Sequence, residues 1–335
     1  MAHETGVDEK ARTFSPWSHV VTLGYAQLAH SLSLNDVCDG LQLNSGPLSA
    51  VRGATPPTRN NLSHANKVRD AVMAEQLFWE VLQYLGELSP GFVSGRAGKR
   101  FLRRFKRKIH AVDSTTIQLI ASCMDWAKHR RRKAAAKCHL RLDVQSFLPR
   151  FAIIDTAREA DAKRAREVCA GVREGGIVLF DKAYIDFGHL WDMEQREVIW
   201  VTRAKENLQF EVVQAYPVAP GGKAVADELV GLKNADSREA YPELMRRVTA
   251  WVVVEDQERL MTFLTNQLTW SPETIAELYR CRWEIEAFFK QLKQTLQLAD
   301  RALWDSRRSL SLPQSSGTGV FPRFSVRLWD SRRLL

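Results

Sequence analysis

The chain has 335 residues, 45% of them apolar and 26% charged, which suits one large core with attachments or two modest domains and excludes a short disulfide scaffold or a disordered chain. Lys and Arg number 48 against 39 Asp and Glu, a formal charge of +9, and that balance favours a polyanionic partner. No stretch nears the roughly 18 uninterrupted apolar residues of a membrane span, MAHETGVDEKARTF has no signal-peptide apolar region, and five scattered cysteines without a CxxC pair argue against disulfides or a thiolate zinc site, so a reducing cytoplasm is the expected home.

In chain order, residues 14 to 90 carry apolar positions at helical spacing, and Ser33 followed by Asp36 resembles a helix start. A Pro-rich break, ATPPTRNNLS, precedes a longer helix expected through HANKVRDAVMAEQLFWEVLQYLGEL. Residues 1–100 are read as a helical domain of the kind that docks on DNA, although no recognition helix can be assigned. Two acid-free basic runs follow, from Arg96 to Lys108 and from Lys128 to Lys137. They flank one candidate active-site strand, an arrangement suited to phosphate contact rather than to a merely solvated face.

From residue 108 the period changes to that of strands. KIHAVDSTTIQL, HLRLDV, RFAIID, GIVLFDKAY and EVIWVTRA are short β-type runs, with helices expected at DAKRAREVCAGV and HLWDMEQR, so the chain should form an α/β sheet covered by helices. Residues 208–262 differ. Pro217, Pro220, Gly221 and Gly222 break the pattern, RVTAWVVVE and ERLMTFLTN read as a β-hairpin, and the segment is taken as an insertion before one long helix, SPETIAELYRCRWEIEAFFKQLKQTLQL.

Two acids end buried strands: Asp113, followed by Ser114, Thr115 and Thr116, and Asp181, followed by Lys182, Ala183 and Tyr184. One such carboxylate is commonly a turn or cap residue. A pair on separate strands invites a metal, because a desolvated carboxylate needs a cation and Mg²⁺ accepts a few oxygens plus water. At about 100° per residue Tyr279, Arg282, Glu286 and Lys293 fall on one face of the long helix, beside an apolar stripe of Leu278, Ile285, Phe289, Leu292 and Leu296. Glu286 would then look into the cleft with Arg282 and Lys293 beside it to hold phosphates; alone, the pattern also fits an ordinary amphipathic helix. His110 and His139 read as core or surface histidines rather than metal ligands.

The spacing Tyr279-x2-Arg282-x3-Glu286-x6-Lys293 resembles the Tyr-Arg-Glu-Lys signature of the insertion sequence 4-like DDE transposases. Asp113 in AVDSTTIQL is similar to that family's first catalytic Asp, and Asp181 in LFDKAYIDF to its second. WAKHRRRKAAAKCHLRLD, WVTRAKENLQF, FLTN, FSPWSHVVTLGYAQLAHSLSLNDV and NNLSHANKVRD extend the resemblance over about residues 14–298. The resemblance implies an RNase H-like α/β catalytic domain in two parts, 101–207 and 263–298, a β-rich insertion at 208–262, and an N-terminal domain that binds transposon-end DNA. It further implies that Asp113, Asp181 and Glu286 are catalytic and hold two Mg²⁺ ions, with Mn²⁺ as a substitute, roughly 4 Å apart, and that Tyr279, Arg282 and Lys293 contact DNA. The implied activity is metal-dependent cleavage at transposon ends and strand transfer to target DNA. The implied partners are DNA and a second copy in a synaptic complex, with a nucleoid-associated cytoplasmic location and no membrane. An inactive copy that only occupies DNA is the alternative reading, and another kind of RNase H-like nuclease explains the acids but not the helix signature.

After Leu298 the resemblance stops. Residues 299–335 contain LWDSRR twice, separated by a Ser/Gly/Pro-rich stretch, and are expected to form an aberrant, disordered tail.

Overall fold

The computed structural model describes residues 6, 8, 13–31, 33–91, 101–119, 134–156, 160–254, 256–296 and 324–325. The N-terminal part is helical: α1 (Pro16–Leu28), α2 (Leu34–Leu43), α3 (Ser45–Ala50), α4 (Arg59–Val68) and α5 (Val72–Leu88). Ser33 and Asp36 form a reciprocal capping box at the start of α2, each side chain accepting from the other's backbone N–H. Val37, Leu41 and Leu62 anchor a small core of their own. The helix expected as one piece from His64 to Leu88 is two, and the reason is local. Arg69 is extended and donates to the carbonyl oxygens of Phe14 and Ser15, while the Asp70 carboxylate accepts from Val72 N at 3.0 Å and starts α5.

The rest is built on one sheet whose central strands are covered on both faces. Its strands are β1 (Ile109–Leu119), β2 (Ala134–Asp143), β3 (Leu148–Thr156), β4 (Ile177–Phe180), β5 (Ile199–Arg203), β6 (Phe210–Ala215), β7 (Ala224–Leu232), β8 (Met245–Val254), β9 (Gln257–Thr265) and β10 (Phe324–Ser325), in the order β10-β3-β2-β1-β4-β5-β9-β8-β7-β6. β1, β2 and β3 form an antiparallel meander, whereas β4 is parallel to both β1 and β5. Among the described residues the remaining helices are α6 (Asp161–Cys169), α7 (Phe187–Gln195), α8 (Ala235–Ala240), α9 (Pro272–Arg280) and α10 (Glu284–Leu296).

Alternation along the strands sorts side chains between two cores. Ala111, Ile177, Leu179 and Val201 enter one with Ile275, Leu278, Ile285 and Phe289 of α9 and α10. Val112, Val178, Phe180 and Trp200 enter the other with Ala165 and Val168 of α6 and Leu190 of α7. Burial on both faces explains why β4 and β5 read as unbroken apolar runs.

The 208–262 segment is continuous with this sheet: β9 pairs with β5, so β6 to β9 extend the same surface. The β8–β9 hairpin was legible in the sequence; β6 and β7 were not, because PVAPGG interrupts them and β6 is largely exposed. A boundary at 262/263 falls inside β9. Within the tail, Phe324–Ser325 pair antiparallel with Ile154 and Ile153 of β3. The other tail residues, Arg96, Lys99 and Arg100, and Lys128 with Arg130 to Lys133 lie outside the described residues. No described helix is long and apolar enough to cross a membrane, and Cys38, Cys138, Cys169 and Cys281 are buried free thiols.

Candidate active site

Strand register brings the first two acids together. Val112 of β1 lies beside Phe180, the last residue of β4, so the next residues along the two chains are Asp113, inside β1 rather than at its end, and Asp181, the first residue past β4. By alternation Asp113 shares the face of Ala111, the face covered by α9 and α10, and Asp181 lies near enough for its charge to act on both Asp113 and Tyr279. Glu286 enters from α10.

The helix carrying Glu286 is not continuous. A 3-10 turn, Cys281–Trp283, separates α9 from α10, and it redistributes the four residues expected on one helix face. Tyr279 goes inward, 1% exposed, with its ring 4.8 Å from Phe263 and 5.7 Å from Trp283. Arg282 also turns in, 5% exposed. Its guanidinium donates to Asp113 Oδ2 at 2.9 Å and to Glu286 Oε1 at 2.6 Å, joining β1 to α10. Glu286 remains half exposed, and with Asp113, Lys290 and Lys293 it lines a cleft of about 500 Å³ floored by Phe289.

Burial raises the Asp113 carboxyl to about 6, outweighing the Arg282 charge that pulls it down; nearby Glu286 and Asp181 add to the rise. Burial opposes the Arg282 charge, but Tyr279, Asp113 and Glu286 together hold the guanidinium above its ordinary value. The Tyr279 hydroxyl is raised, chiefly by burial. Tyr279 is thus a neutral core residue beneath Arg282, whose guanidinium lies 5.7 Å from its ring.

Residues 104–311 match the family model described as "Transposase DDE domain". That span covers more than half of the chain. The chain belongs to the DDE transposase family. Residues 1–51 match a second model, a domain of unknown function designated DUF4372. A Sinorhizobium fredii protein named as transposase y4zB is 30% identical over 62% of this chain and 58% of its own length. The InsG transposase for insertion sequence element IS4 of Escherichia coli is 26% identical over 47% of this chain and 35% of that protein. The chain spans about half the length of the curated relatives it matches. Among solved structures, a piggyBac transposase synaptic complex with hairpin DNA aligns over 87% of this chain and 63% of that chain, at 8% identity and a TM-score of 0.43.

DDE transposases take their name from three acids, and the donor set here suits a hard divalent cation, being made of carboxylate oxygens. Asp113 and Glu286 already converge on one positive group, the Arg282 guanidinium. Among the described residues no three His, Cys, Asp or Glu side chains form a ready cage. Asp113 and Glu286 are thus bridged by Arg282 rather than closed on one point.

A polar network lies behind the acids, on the sheet's other face, and sequence reading missed most of it. Ser114 Oγ donates to Asp161 Oδ1 at 2.7 Å, and Lys137 Nζ lies 3.0 Å from the same oxygen. His139, opposite Ser114 in register and fully buried, has Nδ1 3.0 Å from the Tyr184 hydroxyl. Burial lowers its imidazole to about 4, so it is neutral. The network ties the residue after Asp113 and the turn after Asp181 to α6. The available signal was the alternation of Ser114 against Asp113. Lys290 was also missed, although it sits four residues after Glu286 on the same face.

Proposed function

We propose that this chain is an RNase H-like, Mg²⁺-dependent transposase that cleaves DNA strands at the ends of its own element and joins them to target DNA. The observation that carries the reading is the convergence of Asp113 and Glu286, distant in sequence, on Arg282 at a lysine-lined cleft, with Asp181 just past the end of the adjoining strand. The β3-β2-β1-β4-β5 order, an antiparallel meander continued by parallel strands, supports the RNase H-like assignment.

Asp113, Asp181 and Glu286 are the residues that would hold metal. Bound there, divalent ions supply activation of an attacking water or 3'-hydroxyl and charge stabilisation at the leaving oxygen. Lys290 and Lys293 present a cationic wall to the phosphates, and Arg282 compensates and orients the acids. Phe289 beneath the cleft and the network behind β1 keep the carboxylates fixed. DNA is the partner on this reading, a homodimer brings two ends together, and the nucleoid in the cytoplasm is the place of action.

Asp113→Asn, Asp181→Asn and Glu286→Gln should each abolish Mg²⁺-dependent cleavage of end-containing DNA while leaving duplex binding nearly intact. Near wild-type cutting by any of them would remove that residue from the site.

A further inference from the structure

A second cleft, of about 470 Å³, opens where the chain enters β1, between Arg104, Lys106 and Arg107 on one side and Trp270, Ser271 and Thr274 at the start of α9 on the other. Its floor is aromatic. Phe105 packs edge-on to Phe101 at 5.2 Å and to Trp270 at 5.3 Å, and the Arg104 guanidinium lies 5.8 Å over Phe101.

Five of the six residues from Arg103 to Lys108 are basic and none is acidic. Lys108 is taken by Asp143 at 3.4 Å, and Arg107 donates to the Gly175 carbonyl at 3.1 Å. Arg104 and Lys106 are exposed and have no carboxylate partner among the described residues. The opposite wall adds the Ser271 and Thr274 hydroxyls, 3.0 Å apart. That wall is fixed from behind: Arg246, paired with Asp227 at 2.7 and 2.6 Å, also donates to the Trp270 carbonyl. Both residues of the pair are buried.

We propose that this cleft is a sequence-independent site for the phosphate backbone of duplex DNA, outside the acid-bearing cleft and gripping the same duplex. The inference rests on the transposase reading and adds a contact surface to it. Charge complementarity selects the ligand: guanidinium and ammonium groups without a carboxylate partner among the described residues, beside hydroxyl donors, match phosphate oxygens, and the described lining holds no Asn, Gln or acid to read base edges.

Position supports one shared duplex. Phe101, Phe105 and Trp270 pack on the same core as Ile285 and Phe289 of the Glu286 helix, so both clefts belong to one side of the sheet. From Lys108 to Asp113 along β1 is about 16 Å, and from Ser271 to Arg282 along α9 and its 3-10 turn is also about 16 Å. That distance corresponds to about five steps of a DNA strand, half a helical turn.

The test is the salt dependence of binding, log of the association constant against log of KCl, for the full chain on a duplex of about 30 base pairs of arbitrary sequence, long enough to cover both clefts. Arg104→Ala/Lys106→Ala should lower the slope by about two and weaken binding, whereas Arg104→Lys/Lys106→Arg should retain it. Adding Lys293→Ala should lower the slope by about one more if one duplex occupies both clefts. Circular dichroism should show all variants folded, since Arg104 and Lys106 are exposed. A slope unchanged in Arg104→Ala/Lys106→Ala, with Lys293→Ala still lowering it, would overturn this site alone. A wild-type chain without salt-dependent duplex binding would overturn the transposase reading along with it.

Discussion

Arg282 is the residue on which the site's electrostatics turn. Its side chain is 7% exposed and bridges Asp113, 20% exposed, to Glu286, 51% exposed. Removing it strands a desolvated carboxylate, so Arg282→Ala should cost about 2–4 kcal/mol, less than for a wholly buried pair because Glu286 meets solvent. Arg282→Lys should cost less but lose the two-pronged geometry. The cost depends on pH. With Asp113 at about 6 in the fold, the pair is charged above that value and weakened below it. Urea denaturation should therefore show a larger penalty for Arg282→Ala at about pH 8 than at about pH 5; equal penalties would mean that the bridge is not what Arg282 contributes.

At the scale of elements, strands and helices were largely legible and their assembly was not. GIVLF is apolar throughout because β4 is covered on both faces, and Ser33 with Asp36 marks α2 through a real capping box. The spacing around Glu286 was legible as a helix face, but not the 3-10 turn at Cys281–Trp283 that sends Tyr279 into the core and Arg282 onto Asp113. The tertiary partners at that turn, Phe263 for Tyr279 and Asp113 for Arg282, are encoded by no local period. The pairing of β9 with β5 was hidden for the same reason. Asp227 shows what this continuity does: it holds Arg246, which holds the Trp270 carbonyl before α9. Asp227→Asn leaves a buried guanidinium without its counter-charge and should cost about 3–5 kcal/mol. Thermal denaturation checks this, and a loss below about 1 kcal/mol would show that the pair does not anchor the helix.

Across the whole molecule, acid should unfold the chain through its histidines. Burial lowers His110 to about 3, and His139 and His189 to about 4, from 6.5. A lowered histidine means that the unfolded chain binds the extra proton first. Its contribution is complete above 6.5 and is lost as pH falls towards about 4, at roughly 1.4 kcal/mol per pH unit for each group. Asp113, raised from 3.8 to about 6, acts oppositely: its stabilising contribution is complete below 3.8 and fades as pH rises through 6. It therefore offsets one histidine between those values. Stability from urea titrations should fall by roughly 3 kcal/mol per pH unit between about pH 6 and pH 4, and His139→Asn should shallow that slope by roughly 1.4. An unchanged slope would mean that His139 is not titrating from a neutral folded state. The central claim is that three acids on one side of the sheet serve one metal-dependent reaction, and Asp181 tests it most directly, since Asp113 and Glu286 are already joined by Arg282. The measurement is Mg²⁺-dependent strand cleavage of end-containing DNA by Asp181→Asn beside the wild-type chain, with duplex binding followed in parallel. The expected result is cleavage by the wild type and none by the variant at unchanged duplex affinity; a variant that cuts at near wild-type rate would contradict it.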